Sequence, residues 1–265
     1  AIRLVPDKAH AADKTVELDQ RLLTTPAVAL ERCRVVTCEM AEVAVRALQN
    51  ALRSFDHYTE ALASAIREDE SRCDHYEDVL GTYLVKLSAQ KLGEQESEES
   101  AELLKAIGDF ERISDHALNI SEAAKEIHDK DLQFSPEACH ELDVIESAVR
   151  EILSIAVGAF VENDPQRAAR VEPLEEIIDG LCDEMKSHHV DRLQSGACTL
   201  GQGFVFNDLL TNYERVADHC SNIAVAIIEL ESDSFDTHEY LSSVRALKSH
   251  SFDKYYEEYK QQYHL

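Results

Sequence analysis

Along this chain, apolar residues recur at helical spacing in six long segments, and nowhere is there the two-residue alternation of a half-buried strand. The segments run from about Pro26 to Ser54, Thr59 to Gln90, Ala101 to His128, Pro136 to Glu162, Pro165 to Leu193 and Phe204 to Glu231. The punctuation between them is local chemistry. Thr24 or Thr25 with Pro26 opens the first helix, and Ser135 with Pro136 opens the fourth. Phe55–His57 and Asn163-Asp164-Pro165 make turns. Gly93 with the polar run Glu94–Ser100, and the three-glycine stretch Ser195–Gly203, read as breaks. Long helices with short connections predict an all-α protein: two tandem antiparallel three-helix bundles, followed by an additional C-terminal helix over the tyrosine-rich residues Thr237–Tyr263. The expected divisions are a linker over 1–25, a first repeat over 26–131, a second over 135–233 and an extension over 236–265.

The polar faces of these helices repeat. Glu-x-x-x-Asp occurs as Glu70/Asp74, Glu111/Asp115, Glu175/Asp179 and Glu214/Asp218. Glu111 and Glu214 are 103 residues apart, and Glu70 and Glu175 are 105 apart. Around the later pair the chain reads Asp109-Phe-Glu-Arg-Ile-Ser-Asp-His-Ala-Leu-Asn119 and Asn212-Tyr-Glu-Arg-Val-Ala-Asp-His-Cys-Ser-Asn222. A period near 100 residues is too long for a solenoid unit and fits a duplicated small helical domain.

At 100° per residue, Glu111 and Asp115 lie about 40° apart on the third helix, while Phe110, Ile113, Ala117 and Ile120 cluster near the opposite side. The sixth helix behaves alike, with Tyr213, Val216, Ala217 and Ile227 opposing its acids. So do the second (Cys73, Tyr76, Leu80, Leu84) and the fifth (Leu174, Ile177, Ile178, Leu181, Met185). One such pair in an acidic chain is an ordinary solvated face. Four at matched places, with Arg, His and Asn repeating beside one of them, are harder to explain so. Like charges at i,i+4 repel unless a cation lies between them. Adjacent helices can join two pairs into a four-carboxylate face suited to Mg, Mn, Ca or ferric iron, with zinc also compatible. Arg112 and Arg215 are either surface ion pairs or groups that orient a carboxylate or meet a phosphate ion. His116 and His219 are structural, or hold or ligate the metal. Asn119 and Asn222 can ligate through the amide oxygen or brace a ligating carboxylate.

Charge supports this reading. Against 26 basic residues stand 52 acidic ones, a net charge of -26, which excludes the basic footprint that nucleic acid requires and disfavours anionic lipid. No apolar run approaches a membrane span; the longest, Ile152–Val161, fits a buried helix. The seven cysteines form no CxxC pair and read as small buried residues in a reducing compartment. Enzyme signatures are missing: no phosphate loop, dinucleotide fingerprint, GxSxG or HExxH occurs. Glu137-Ala-Cys-His140 is unrepeated and reads as chance.

Glu111–Ile120 and Glu214–Ile223 resemble the signature of PhoU domains, and the resemblance spans roughly residues 27–232. It implies two tandem three-helix bundles bearing multinuclear metal clusters, iron or zinc, on their surface. It carries the ligand positions onto Glu70, Asp74, Glu111, Asp115, Glu175, Asp179, Glu214 and Asp218. It also implies a non-enzymatic regulator of phosphate transport. The run Leu18–Leu30 is similar to the linker between a sodium/phosphate cotransporter membrane domain and its cytoplasmic PhoU-like tail. That implies a soluble domain on the cytoplasmic side of the membrane, with its own or an associated phosphate transporter as partner. The alternatives are a free-standing PhoU regulator acting on an ABC transporter and sensor kinase, a carboxylate metalloenzyme, or a helical adaptor. A homo-oligomer is left open.

Overall fold

The computed structural model describes residues 18–55, 57–233 and 251–265, and among them every regular element is helical. In chain order these are α1 (Pro26–Arg53), α2 (Glu60–Ser88), α3 (Glu94–Asp129), α4 (Pro136–Glu162), α5 (Pro165–Ala168), α6 (Val171–Gln194) and α7 (Leu200–Asp233). An eighth, α8, covers residues 251–262. α1, α2 and α3 pack mutually as one bundle, and α4, α6 and α7 as the second. α3 meets α7 as extensively as it meets α2, so the bundles lie side by side along that pair. The cores are aliphatic with a few large rings; Phe110 and Tyr213, homologous in the repeat, are both fully buried. No helix among the described residues is long and apolar enough to cross a membrane.

Several boundaries differ from those read from the sequence. α3 starts at Glu94, seven residues earlier than expected. Gly93 is its N-cap, and the Glu96 side chain returns to the Gly93 N–H at 2.9 Å. The acids of this run sit in the first turns, where the helix dipole favours them. α7 likewise starts inside the glycine-containing stretch, with Gln202 and Thr199 capping each other. The expected fifth helix is two. Asn163 takes φ 50° to end α4, and Asp164 caps α5. A continuous helix would then put Pro173 in its interior, with a lost bond and a ring clash. Restarting at Val171 leaves Pro173 in a first turn, where it is tolerated.

The expected linker is also partly fold. Leu18 is buried, Gln20–Thr24 form a 3-10 turn capped by Asp19, and the Tyr83 hydroxyl donates to the Asp19 carbonyl at 2.9 Å. Residues 1–17 lie outside the described residues. So does the 237–250 part of the expected C-terminal helix. Its end, α8, packs on the second bundle. Tyr259 and Tyr263 are buried, the Tyr263 hydroxyl donates to Glu151 at 2.5 Å, and the Arg170 guanidinium lies 5.6 Å from the Tyr255 ring centre.

In each bundle one arginine clamps a buried carboxylate between helices. Arg46 of α1 holds Asp69 of α2, with one contact at 2.8 Å. Arg192 of α6 holds Glu141 of α4 through two bonds of 2.9 and 2.8 Å. The cysteines are all free thiols; Cys33, Cys73, Cys182 and Cys220 are buried as expected, whereas Cys38 and Cys198 are half-buried and Cys139 is exposed. Burial pushes the thiols of Cys33, Cys73 and Cys182 up to about 12, which leaves them unreactive at neutral pH.

Candidate metal centre

Helical spacing stacks each Glu one turn from its Asp, and antiparallel neighbours bring two such stacks together. The α2 pair meets the α3 pair: the charge of Asp115 reaches Glu70, and that of Asp74 reaches Glu111. The α6 pair meets the α7 pair: Asp218 acts on Glu175, and both Glu214 and Asp218 act on Asp179. The eight carboxylates therefore form two four-residue groups, one per bundle.

These groups are not fully solvated. Side-chain exposure is 13% at Glu111, 29% at Glu214, 34% at Asp218 and 38% at Asp115. Burial, and after it the Asp115 charge, pushes Glu111 up to about 7. Burial, then Asp179, does the same to Glu175, also to about 7. Glu70 and Asp179 are raised for the same reasons, burial first. Such carboxylates would be relieved by a cation.

In the second group, ligand oxygens of Glu175, Asp179 and Asp218 converge within 4.8 Å of one another. Asp179 Oδ1 is buried without a hydrogen-bond partner, an orphaned acceptor beside two further carboxylates. An all-oxygen anionic donor set of this kind fits a hard cation, and iron or zinc as well. In the first group Arg112 sits on both acids of α3, 3.4 Å from Glu111 and 3.3 Å from Asp115. Its counterpart Arg215 bonds Asp218 at 2.8 Å. Both arginines, 60% and 55% exposed, thus pair with the clustered acids at the protein surface.

The repeated histidines and one asparagine are placed elsewhere. His116 Nδ1 donates to the side-chain oxygen of Asn212 at 2.9 Å, and His219 Nδ1 donates to Asp109 at 2.9 Å. Their rings stack with centres 5.6 Å apart. Asn222 donates to the same Asp109 at 3.1 Å. Asp109 and Asn212 are equivalent in the repeat, as are His116 and His219. The contact is therefore reciprocal, as across a two-fold axis, and it runs the two helices antiparallel. His116, His219 and Asn222 bind one bundle to the other; the structure gives them no bond to the clustered carboxylates. Asn119 is exposed, and its side chain makes no hydrogen bond among the described residues. Burial holds His116 below the usual imidazole range, which keeps this seam neutral on that side. Asp109→Ala is expected to cost about 1–3 kcal/mol in urea unfolding, because it strands the largely buried His219 donor, whereas the exposed Asn222 can turn to water. Metal content should stay unchanged; a parallel loss of metal would return His219 to the site.

Two side chains of the groups are absent from the repeat pattern. Glu77, one turn beyond Asp74, lies close enough for its charge to reach Glu111. Lys186 donates to Glu214 at 2.8 Å. Both lie on the acid-bearing face of their helices, which is the signal that places them, but neither has an equivalent in the other repeat.

The comparisons with known proteins follow the same lines. The PhoU domain model matches residues 37–124 and 144–227, the two bundles in turn. The phosphate-specific transport system accessory protein PhoU homolog 1 of Thermotoga maritima is 27% identical over 144 residues, 54% of this chain and 61% of that protein. A protein named for inorganic phosphate export, YjbB of Salmonella typhimurium, is 24% identical over 232 residues, 86% of this chain and 42% of its own length. The chain thus spans less than two thirds of either relative. The crystal structure of PhoU from Pseudomonas aeruginosa superimposes with a TM-score of 0.72 at 21% identity, covering 77% of this chain and 97% of that one. With two matched segments that together exceed half of its length, the chain belongs to the PhoU domain family.

Proposed function

We propose that the chain is a non-enzymatic regulator of phosphate transport, of the free-standing PhoU type, whose two carboxylate groups hold metal ions. The observation that carries the reading is the pairing of duplicated Glu-x-x-x-Asp turns on adjacent helices of a PhoU double bundle, with three oxygens converging in one of them. The ligands are Glu70, Asp74, Glu111 and Asp115 in the first group, and Glu175, Asp179, Glu214 and Asp218 in the second. Iron or zinc is the expected occupant. A metal with open positions on an exposed face can take a phosphate ion or a partner's side chain. The partner is a membrane phosphate transport system, by analogy with the Thermotoga relative's name.

A second reading keeps the regulatory role but makes the chain the cytoplasmic region of a sodium-coupled phosphate transporter. It is favoured by the alignment with YjbB, which takes in 86% of this chain but only 42% of the relative. Phosphate uptake and export in the source cells, after deletion and complementation, test both. The wild-type gene should restore normal flux, and E111A/D115A/E214A/D218A should not, although it folds. Equal rescue by the two would remove the metal groups from the function. The sequence of the full gene decides between the readings.

A further inference from the structure

The second carboxylate group carries a cation that the first lacks, and we infer that Lys186 is a built-in competitor for its fourth carboxylate, restricting that group to a three-carboxylate seat. The inference rests on the metal reading above. Lys186 Nζ donates to Glu214 Oε2 at 2.8 Å and lies 3.9 Å from Asp183. The converging ligands are Glu175, Asp179 and Asp218. Glu214, the remaining repeated position, is not among them. The ammonium already occupies the place beside the Glu214 oxygen that a metal ion would take.

The repeat shows how this asymmetry arose in the chain. The 105-residue step that carries Glu70 onto Glu175 and Asp74 onto Asp179 carries Gly81 onto Lys186 and Glu77 onto Cys182. Where the second bundle offers a cation, the first offers no side chain. Where the second offers a buried thiol, the first offers a further carboxylate. The two groups therefore differ in net charge and in the number of oxygens free to ligate. A cation bound at the second seat also feels the lysine's charge directly, and repulsion at such range in a partly buried site is worth about one order of magnitude in affinity or more. Each group also carries an arginine, Arg112 at 3.4 Å from Glu111 in the first and Arg215 at 2.8 Å from Asp218 in the second, so the lysine is the cation by which the second differs.

The test is a zinc titration of chelator-treated protein, with elemental analysis after desalting. The E111A/D115A background silences the first group, and Lys186→Met is added to it. The Lys186 side chain is 35% exposed, and methionine keeps most of its stem, so the helix is left intact. Lys186→Met should bind zinc at least tenfold more tightly than the background, or hold one more ion per chain. Lys186→Arg, which retains the charge, should match the background. An unchanged or weakened affinity in Lys186→Met would overturn the inference, since the lysine would then be positioning Glu214 as a ligand. If zinc binds neither the wild type nor any variant, the metal reading itself falls, a different outcome from zinc binding that ignores Lys186.

Discussion

Replacing Arg192 by alanine is expected to remove about 3 kcal/mol of stability, more than any change at the protein surface. Glu141 is 6% exposed in its side chain, and Arg192 only 13%. The guanidinium makes two parallel bonds to both carboxylate oxygens, at 2.9 and 2.8 Å, and rests 5.2 Å from the Phe206 ring centre. Truncation leaves a buried carboxylate with His188, at 2.8 Å, as its remaining partner. Breaking a buried pair by removing one member costs about 3–5 kcal/mol, and the surviving His188 bond puts the expectation at the lower end. Two controls separate the charge from the packing. Arg46→Ala should cost less, because the Arg46 side chain is 48% exposed and water can reach Asp69 in its place. Glu141→Leu with Arg192→Leu should recover most of the loss, since well-packed apolar residues often replace a buried pair without penalty. Urea unfolding reads all three; a loss under about 0.5 kcal/mol in Arg192→Ala would mean that water already reaches Glu141.

The parts legible in the sequence were those that repeat. Helical periodicity and the 103-residue duplication suffice for six of the long helices and their two bundles, and the eight acids follow because a motif copied four times stands out from an acidic background. What escaped was either hidden by the repeat or outside it. The equivalence of His116 with His219 reads naturally as two copies of a metal-site residue. It is equally the mark of a two-fold contact, in which each copy touches the other repeat. Asp109 and Asn212 carried that information, since they occupy equivalent places two turns before the histidines on α3 and α7. Lys186 and Glu77 break the repeat, so a search for recurring residues passes over them. The helix starts failed for a different reason. Gly93 and Gly201 read as breakers, whereas Glu96 and Gln202 fold back to cap, and capping is a side-chain event that composition does not show. Pro173 alone forecasts the division between α5 and α6, because a proline there is admissible only in a first turn.

The pH dependence of stability should reverse when metal is added, and that reversal is the sharpest reading of the two groups in solution. In metal-free protein Glu111 and Glu175 are pushed up to about 7, from an ordinary 4.5, chiefly by burial and then by neighbouring acids. A carboxyl raised on folding contributes stability that is complete below its ordinary pKa and is lost as pH rises through the folded value. The metal-free protein is therefore expected to be less stable at pH 8 than at pH 5.5. Glu102, pushed up to about 7 by its burial, acts in the same direction, while His116 and His189, held below the usual imidazole range by burial, oppose it in part. After allowance for solvent screening of these half-buried groups, the difference is about 1–2 kcal/mol, or roughly 2–8 °C in melting temperature. Metal acts oppositely, because ligation needs the ionised carboxylates and competes with protons. Zinc at about a hundred times its dissociation constant adds about 2.7 kcal/mol, and this increment is full at pH 8 and shrinks towards pH 5.5. Melting curves at the two pH values, with chelator and with zinc, should slope in opposite senses. Glu111→Gln with Glu175→Gln should raise the metal-free protein at pH 8, reduce its slope to what Glu102, Glu70 and Asp179 leave, and abolish most of the response to zinc. Parallel slopes in the presence and absence of zinc would show that the carboxylates titrate without ligating, and the acidic faces would then be electrostatic surfaces alone.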